Sequence, residues 1–102
     1  MSATILVTGS HGLIGTALCA ALQARGMAIL EVDLRADEPL DLRDHTSMAR
    51  LVARADGIVH LGAVSRVIDG QNDPVNCRAV NVDATRNLLD AALTTARRPW
   101  FV

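Results

Sequence analysis

Glycines at positions 9, 12 and 15, set between an apolar run and a helical pattern, constrain this chain more than any other feature. The run Thr4-Ile5-Leu6-Val7 leads into them, and the pattern from Leu13 to Arg25 leads out. A strand that ends on a glycine and restarts as a helix must turn sharply, and each glycine has its own use there. Gly9 lets the chain turn off the strand. Gly12 has no side chain, so an anion can approach the backbone. Gly15 lets the helix pack closely on the sheet. The helix start adds unpaired N–H groups and the positive end of a dipole, which suit a phosphate. Ordinary turns also carry such glycines, so the rest of the chain decides what this one is for.

Downstream, the pattern alternates. Leu13, Ile14, Ala17, Leu18, Ala21 and Leu22 form one apolar helical stripe that Gly26 ends. Residues 28–33 predict a second strand closing on Asp33, and the pair makes a βαβ unit with a right-handed crossover. Leu40-Asp41-Leu42 predicts a very short third strand. Thr46 to Arg54 predicts a short helix with Asp44 or Thr46 at its cap and Met48, Leu51 and Val52 facing inward. Gly57 to Gly62 is a near-continuous apolar run, as buried parallel strands are. Residues 63–76 are expected to be a loop, with turn signals at Asp69-Gly70 and Asp73-Pro74. The longest helix is expected from about Val75 to Arg97, with Arg97 and Arg98 at its negative end. Trp100-Phe101-Val102 then reads as the start of a fifth strand. The expected class is α/β: a Rossmann-type parallel sheet with helices on both faces, incomplete at its fifth strand.

Composition narrows the function classes. The 102 residues suffice for one domain, and half are hydrophobic. A net charge of −1 argues against a general nucleic-acid or membrane-surface partner. No apolar run reaches spanning length, and the expected location is the cytoplasm. Cys19 and Cys77 have neither metal nor redox spacing and read as buried or half-buried thiols. No metal ligand set is expected.

Asp33 supplies the second signal. A carboxylate at the end of the second strand, about 20 residues beyond the glycines, can accept hydrogen bonds from both ribose hydroxyls of an adenosine. It repels a 2′-phosphate, so NAD is favoured over NADP. Arg35 pulls the other way, because a guanidinium can accommodate that phosphate.

Taken together, these motifs resemble the extended short-chain dehydrogenases/reductases, the family of the sugar-nucleotide epimerases and dehydratases. Val7-Thr8-Gly9-Ser10-His11-Gly12-Leu13-Ile14-Gly15 resembles the opening motif. Leu40-Asp41-Leu42-Arg43-Asp44 resembles the adenine-side motif. Val59-His60-Leu61-Gly62-Ala63 resembles the strand-end motif, with Gly62 where Ala is usual. The segment from Asn81 to Ala92 resembles the long-helix motif, with Asp83-Ala84 where a small residue and Gly are common. The resemblance implies roles: Gly9, Gly12, Leu13, Ile14 and Gly15 around the pyrophosphate; Asp33, Leu34 and Arg35 around the adenosine ribose; Asp41 and Leu42 at the adenine. Leu61, Gly62, Ala63, Val64 and Ser65 would line the path to the nicotinamide ribose, and Asn81 would reach the cofactor from the long helix. Leu42 and Leu61 also fit plain core positions, and Asn81 a bridge to backbone. His60 fits a hydrogen-bonded core histidine, not a base.

One departure limits the resemblance. The family works with a Tyr acid/base and a Lys four residues on, and this chain contains neither; its ten basic residues are all Arg. No catalytic residue is assigned. The expectation is the cofactor-binding half of an NAD-dependent oxidoreductase acting by hydride transfer on a sugar nucleotide or related hydroxyl substrate. A non-catalytic dinucleotide-binding module is the alternative. Because the first helix cannot also cover the later strands, an exposed apolar patch is expected there, including some of Ile58, His60 and Val102, with self-association through it.

Overall fold

The computed structural model describes residues 2–102. Four parallel strands form one sheet in the order β2-β1-β3-β4. They are β1 (Thr4–Thr8), β2 (Ala28–Val32), β3 (Gly57–His60) and β4 (Trp100–Phe101). The first crossover carries α1 (Leu13–Ala24), the second α2 (His45–Val52). The third is compound: α3 (Val67–Asn72), α4 (Pro74–Arg78), a π-helical turn at Ala79–Asp83, and α5 (Ala84–Thr94). The strand order reverses between β1 and β3, so the carboxyl ends of these two strands open a crevice.

Alternation along the strands divides the core. Leu6, Val32 and Ile58 point to one face and pack with Met48 and Val52 of α2 and Leu88 of α5. Ile5 and Val7 point to the other and pack with Cys19, Leu18 and Leu22 of α1. Each fully buried aliphatic side chain contributes about 1.5–3 kcal/mol. The expected inward set of α2 is present, and Asp44 caps that helix, accepting from the Ser47 N–H at 3.2 Å.

Four expectations are corrected. Leu40-Asp41-Leu42 is not a strand, so the strand at Trp100 is the fourth. The Asp41 carboxylate instead accepts the Arg43 N–H at 2.9 Å, a local bond that competes with extended pairing. Residues 63–76 are not all loop. Asp73 is an N-cap, accepting from the Asn76 N–H at 3.0 Å with Pro74 in the first turn, so Asp73-Pro74 starts α4 rather than merely turning the chain. The long helix is broken by the π turn and stops at Thr94. Arg97 does not serve its end: it pairs with Asp56 at 2.8 Å, and Asp56 also accepts the Thr4 N–H at 2.8 Å.

The fourth correction concerns the uncovered face. Ile58 is wholly buried. With His60 and Phe101 it faces the α2/α5 layer, where α5 covers it. The α1 side of β3 and β4 is the bare one. There Val59 is half-buried, Trp100 is 50% exposed with its ring across Gly57, and Val102 is 75% exposed.

Candidate cofactor site

The crevice at the strand ends holds a cleft of about 710 Å³. Three strand ends converge on it. Gly9 and Gly12 follow β1, Asp33, Leu34 and Arg35 follow β2, and Leu61, Gly62, Ala63, Val64 and Ser65 follow β3. Asp41 and Leu42 complete the wall between β2 and α2.

The glycine turn is pinned on both sides. The Gly9 N–H donates to the Val32 carbonyl at 2.8 Å, and the Leu61 N–H donates to the Thr8 carbonyl at 3.1 Å. Gly9 has φ +71°, and a Cβ there would stand 2.9 Å from the Gly62 nitrogen and the Leu61 carbonyl carbon. Glycine is therefore required twice over, by conformation and by space. Gly15 is also needed for close approach, but against the turn itself: its Cβ would fall on the Gly9 carbonyl oxygen and 2.9 Å from the Ser10 Cα. The expectation that Gly15 packs on the sheet is corrected accordingly. Gly62 faces Leu42: a Cβ there would meet Leu42 Cδ1 at 2.6 Å.

Gly12 is the N-cap of α1 and has no side chain to satisfy the first-turn amides. The Leu13 and Ile14 side chains are 93% and 67% exposed, and with Gly15 they lie outside the cleft lining. Their contribution rests on amides at the positive end of the helix. A Cβ at Gly12 would meet the Gly9 carbonyl oxygen at 3.3 Å and the Arg35 guanidinium at 4.0 Å. The cradle thus suits an anion approaching the backbone.

Asp33 is already engaged. Its Oδ2 accepts the His11 N–H at 3.0 Å; its Oδ1 accepts the Arg35 N–H at 2.9 Å and Arg35 Nε at 3.3 Å. Burial pushes the carboxyl up, but these donors outweigh it and hold the group below the usual carboxylate range. An ionised carboxylate has about four acceptor positions, so roughly one stays free, and release of the exposed Arg35 side chain frees another. Asp33 therefore anchors the turn and keeps capacity for a hydroxyl-bearing ligand.

Asp41 and Arg43 repeat this arrangement. Asp33-Leu34-Arg35 and Asp41-Leu42-Arg43 are the same tripeptide, and in each the Arg folds back on the Asp. The Arg43 guanidinium reaches Asp41 Oδ2 at 2.6 Å and holds that carboxyl below its ordinary range. It also donates to Asn76 Oδ1 at 2.9 Å, tying the Asp41–Arg43 segment to α4. Arg43, Asp73, Asn76 and Val80 line the cleft without having been expected there. The repeated tripeptide was a usable signal for Arg43; nothing in the spacing foretells the others, which the π turn and α4 bring in.

Asn81 stands behind the wall. Its Oδ1 accepts the Val64 N–H at 2.7 Å and its Nδ2 donates to the Val64 carbonyl at 2.8 Å. The side chain thus bridges to backbone and fixes the Ala63–Ser65 segment. His60 is half-buried and bonded through both ring nitrogens, to Thr8 Oγ1 at 2.6 Å and Thr85 Oγ1 at 2.8 Å. Burial pushes its pKa down. Cys19 is buried and Cys77 half-buried, both free. No helix among the described residues is long and apolar enough to cross a membrane.

Comparison with known proteins agrees with this geometry. The model of the NAD dependent epimerase/dehydratase family matches residues 5–102. A UDP-N-acetyl-alpha-D-glucosaminuronate decarboxylase from Bacillus cytotoxicus is 30% identical, covering 99% of this chain and 36% of its own length. A short-chain dehydrogenase/reductase superfamily protein from Agrobacterium tumefaciens, solved with bound NAD, superposes with a TM-score of 0.79. It is 33% identical over 96% of this chain and 31% of its own. UDP-glucose 4-epimerase from Thermus thermophilus, in complex with NAD, gives 0.75 at 31% identity over 87% and 33% of the two chains. The chain thus spans about a third of the length of these relatives. A match over nearly every residue, on a fold with its crevice at the reversal of strand order, shows that the chain belongs to the NAD-dependent epimerase/dehydratase family.

Proposed function

We propose that residues 1–102 form a dinucleotide-binding Rossmann unit that holds NAD in the cleft at the β1/β3 reversal. The observation that carries this reading is the convergence of Gly9 and Gly12, Asp33, and Leu61–Ser65 from three strand ends on one cleft. Gly9, Gly12 and the amides of Leu13, Ile14 and Gly15 receive the pyrophosphate. Asp33, with Leu34 and Arg35, takes the adenosine ribose, and Asp41 and Leu42 take the adenine. Leu61, Gly62, Ala63, Val64 and Ser65 lead towards the nicotinamide ribose, with Asn81 steadying them. The bound nicotinamide supplies a site that accepts or returns a hydride. This chain's residues bind and orient it. Family membership supports a parent reaction on a sugar nucleotide or related hydroxyl compound. Tyr and Lys are absent from the chain, so no proton transfer is assigned to its residues. A dinucleotide-binding module without chemistry of its own is the second reading. The free thiols Cys19 and Cys77 support a reducing, cytoplasmic setting, and the bare α1-side face of β3 and β4 supports self-association.

Titration of NAD and NADP into the chain and into Asp33→Ala tests the binding. NAD should bind more tightly than NADP. The variant should lose about tenfold or more in NAD affinity, as expected when hydrogen bonds to a charged group are removed. Asp33 also anchors the His11 N–H, so the narrowing of the NAD-to-NADP ratio isolates its contact with the ribose. Undiminished NAD affinity in Asp33→Ala would overturn the ribose assignment, and no NAD binding to the parent chain would overturn the reading itself.

A further inference from the structure

One run of hydrogen bonds crosses the sheet end beneath the cleft. The Gly62 N–H donates to Thr8 Oγ1 at 3.0 Å. Thr8 Oγ1 lies 2.6 Å from His60 Nδ1, and His60 Nε2 lies 2.8 Å from Thr85 Oγ1. The Thr85 hydroxyl donates to the Asn81 carbonyl at 2.9 Å. Only one placement of the protons satisfies every group. The Thr8 hydroxyl is fully buried, and His60 Nδ1 is the acceptor within its reach. Nδ1 must then be bare, the ring proton sits on Nε2 and is given to Thr85, and Thr85 passes its own proton to Asn81. In the other tautomer the ring would donate to Thr8, whose hydroxyl proton would be left buried without a partner.

We propose that His60 is a positioning residue for the cleft: held as the Nε2–H tautomer, it transmits one directed hydrogen-bond run from the Asn81 carbonyl to the Gly62 amide and so fixes the peptide that faces Gly9. This rests on the reading of the cleft as the dinucleotide site only for its consequence, not for the run itself. The run has a reason to matter. A Cβ on Gly9 would stand 2.9 Å from the Gly62 nitrogen, so the Gly62 peptide closes the space beside Gly9 and a rotation of one bears on the other. Asn81 enters the run at its carbonyl while its side chain clamps Val64, so both ends of the Gly62–Val64 wall are held from the π turn. The ring is half-buried beside Phe101, with centroids 6.0 Å apart, and burial favours the neutral form that the run requires.

The test combines nitrogen NMR of the His60 ring with amide spectra and NAD titrations of the chain, Thr85→Val, Thr85→Ser and Thr94→Val. Thr94 bonds back to the Asp90 carbonyl at 3.0 Å on the same helix, outside the run, and serves as the control. The parent chain should show His60 with a bare Nδ1 and a proton on Nε2. Thr85→Val should move the Gly62 amide signal and weaken NAD about three- to tenfold, the range for one lost hydrogen bond. Thr85→Ser should restore both, and Thr94→Val should change neither. A proton on Nδ1, or a Gly62 amide unmoved in Thr85→Val, would overturn the run, whatever the NAD affinity. If the parent chain binds NAD and Thr85→Val moves the Gly62 signal without changing affinity, the positioning role falls. If the Nε2–H tautomer is present but the parent chain binds no NAD, the cofactor reading falls and the positioning role falls with it. Because a proton on Nδ1 would be seen in the parent chain, the run can be overturned even if Thr85→Val fails to fold.

Discussion

At the scale of single residues, two glycines with nearly the same backbone separate strain from crowding. Gly9 and Gly26 have φ +71° and +80°, but a Cβ at Gly26 meets nothing within 4 Å. Gly26→Ala should lower unfolding free energy by about 1–2 kcal/mol, the left-handed penalty alone. Gly9→Ala adds the collision with Gly62 and should cost about 2–5 kcal/mol. Equal losses in urea melts would contradict the crowding. His60 gives a pH signature. Its pKa is lowered by burial, so below about 6.5 the unfolded chain binds a proton more readily than the folded one. Its share of stability is complete above that pH and is lost as pH falls towards the folded-state value. Melts at pH 7.5 and 5.5 should therefore lose more stability in the parent than in His60→Gln. At this scale the sequence was informative where chemistry is local. Asp33 ends a strand and binds the turn beside it, as a carboxylate there can. Asn81 was less legible, because whether an amide meets ligand or backbone depends on a loop 17 positions away.

Among the elements, those with a strong period were readable: α1, α2 and the strands β1, β2 and β3 stand within a residue or two of expectation. The failures have separate causes. Leu40-Asp41-Leu42 looked like a strand by alternation, but a strand needs a partner, and here side chains take the local N–H groups instead. α3 is a six-residue helix that includes Gly70, too short and too poor in helix formers for periodicity to register. The π turn interrupts the helix expected from Val75 to Arg97 and shifts its phase by one residue, a break that no glycine or proline announces. After that shift Ala84, Leu88 and Ala92 face the core. Leu88→Ala should cost about 2–5 kcal/mol by thermal or urea unfolding, whereas Leu89→Ala, on a side chain 41% exposed, should cost under about 1 kcal/mol. Similar losses at both positions would put the phase of α5 in error.

For the molecule as a whole, the decisive asymmetry is one helix over one sheet face and two over the other. α1 covers β1 and β2, and Val59, Trp100 and Val102 are left on the remainder of that face. The sequence indicated the bare region, and of the three residues offered for it Val102 lies there while Ile58 and His60 do not, because which face a strand residue takes is set by register with its neighbours. Leu6 pairs with Ile58 and both go to the α2/α5 side. Sedimentation at high micromolar concentration should show association that Val102→Asp weakens; a monomer throughout would contradict it. NAD binding is expected at the opposite end of the strands. The most direct measurement is a two-dimensional amide NMR titration of the chain with NAD. Gly9, Gly12, Leu13, Ile14, Asp33, Asp41 and Leu61–Ser65 should shift together and saturably, while the Asp56–Arg97 end of the sheet stays still. Shifts clustered at that far end, or none at all, would contradict it.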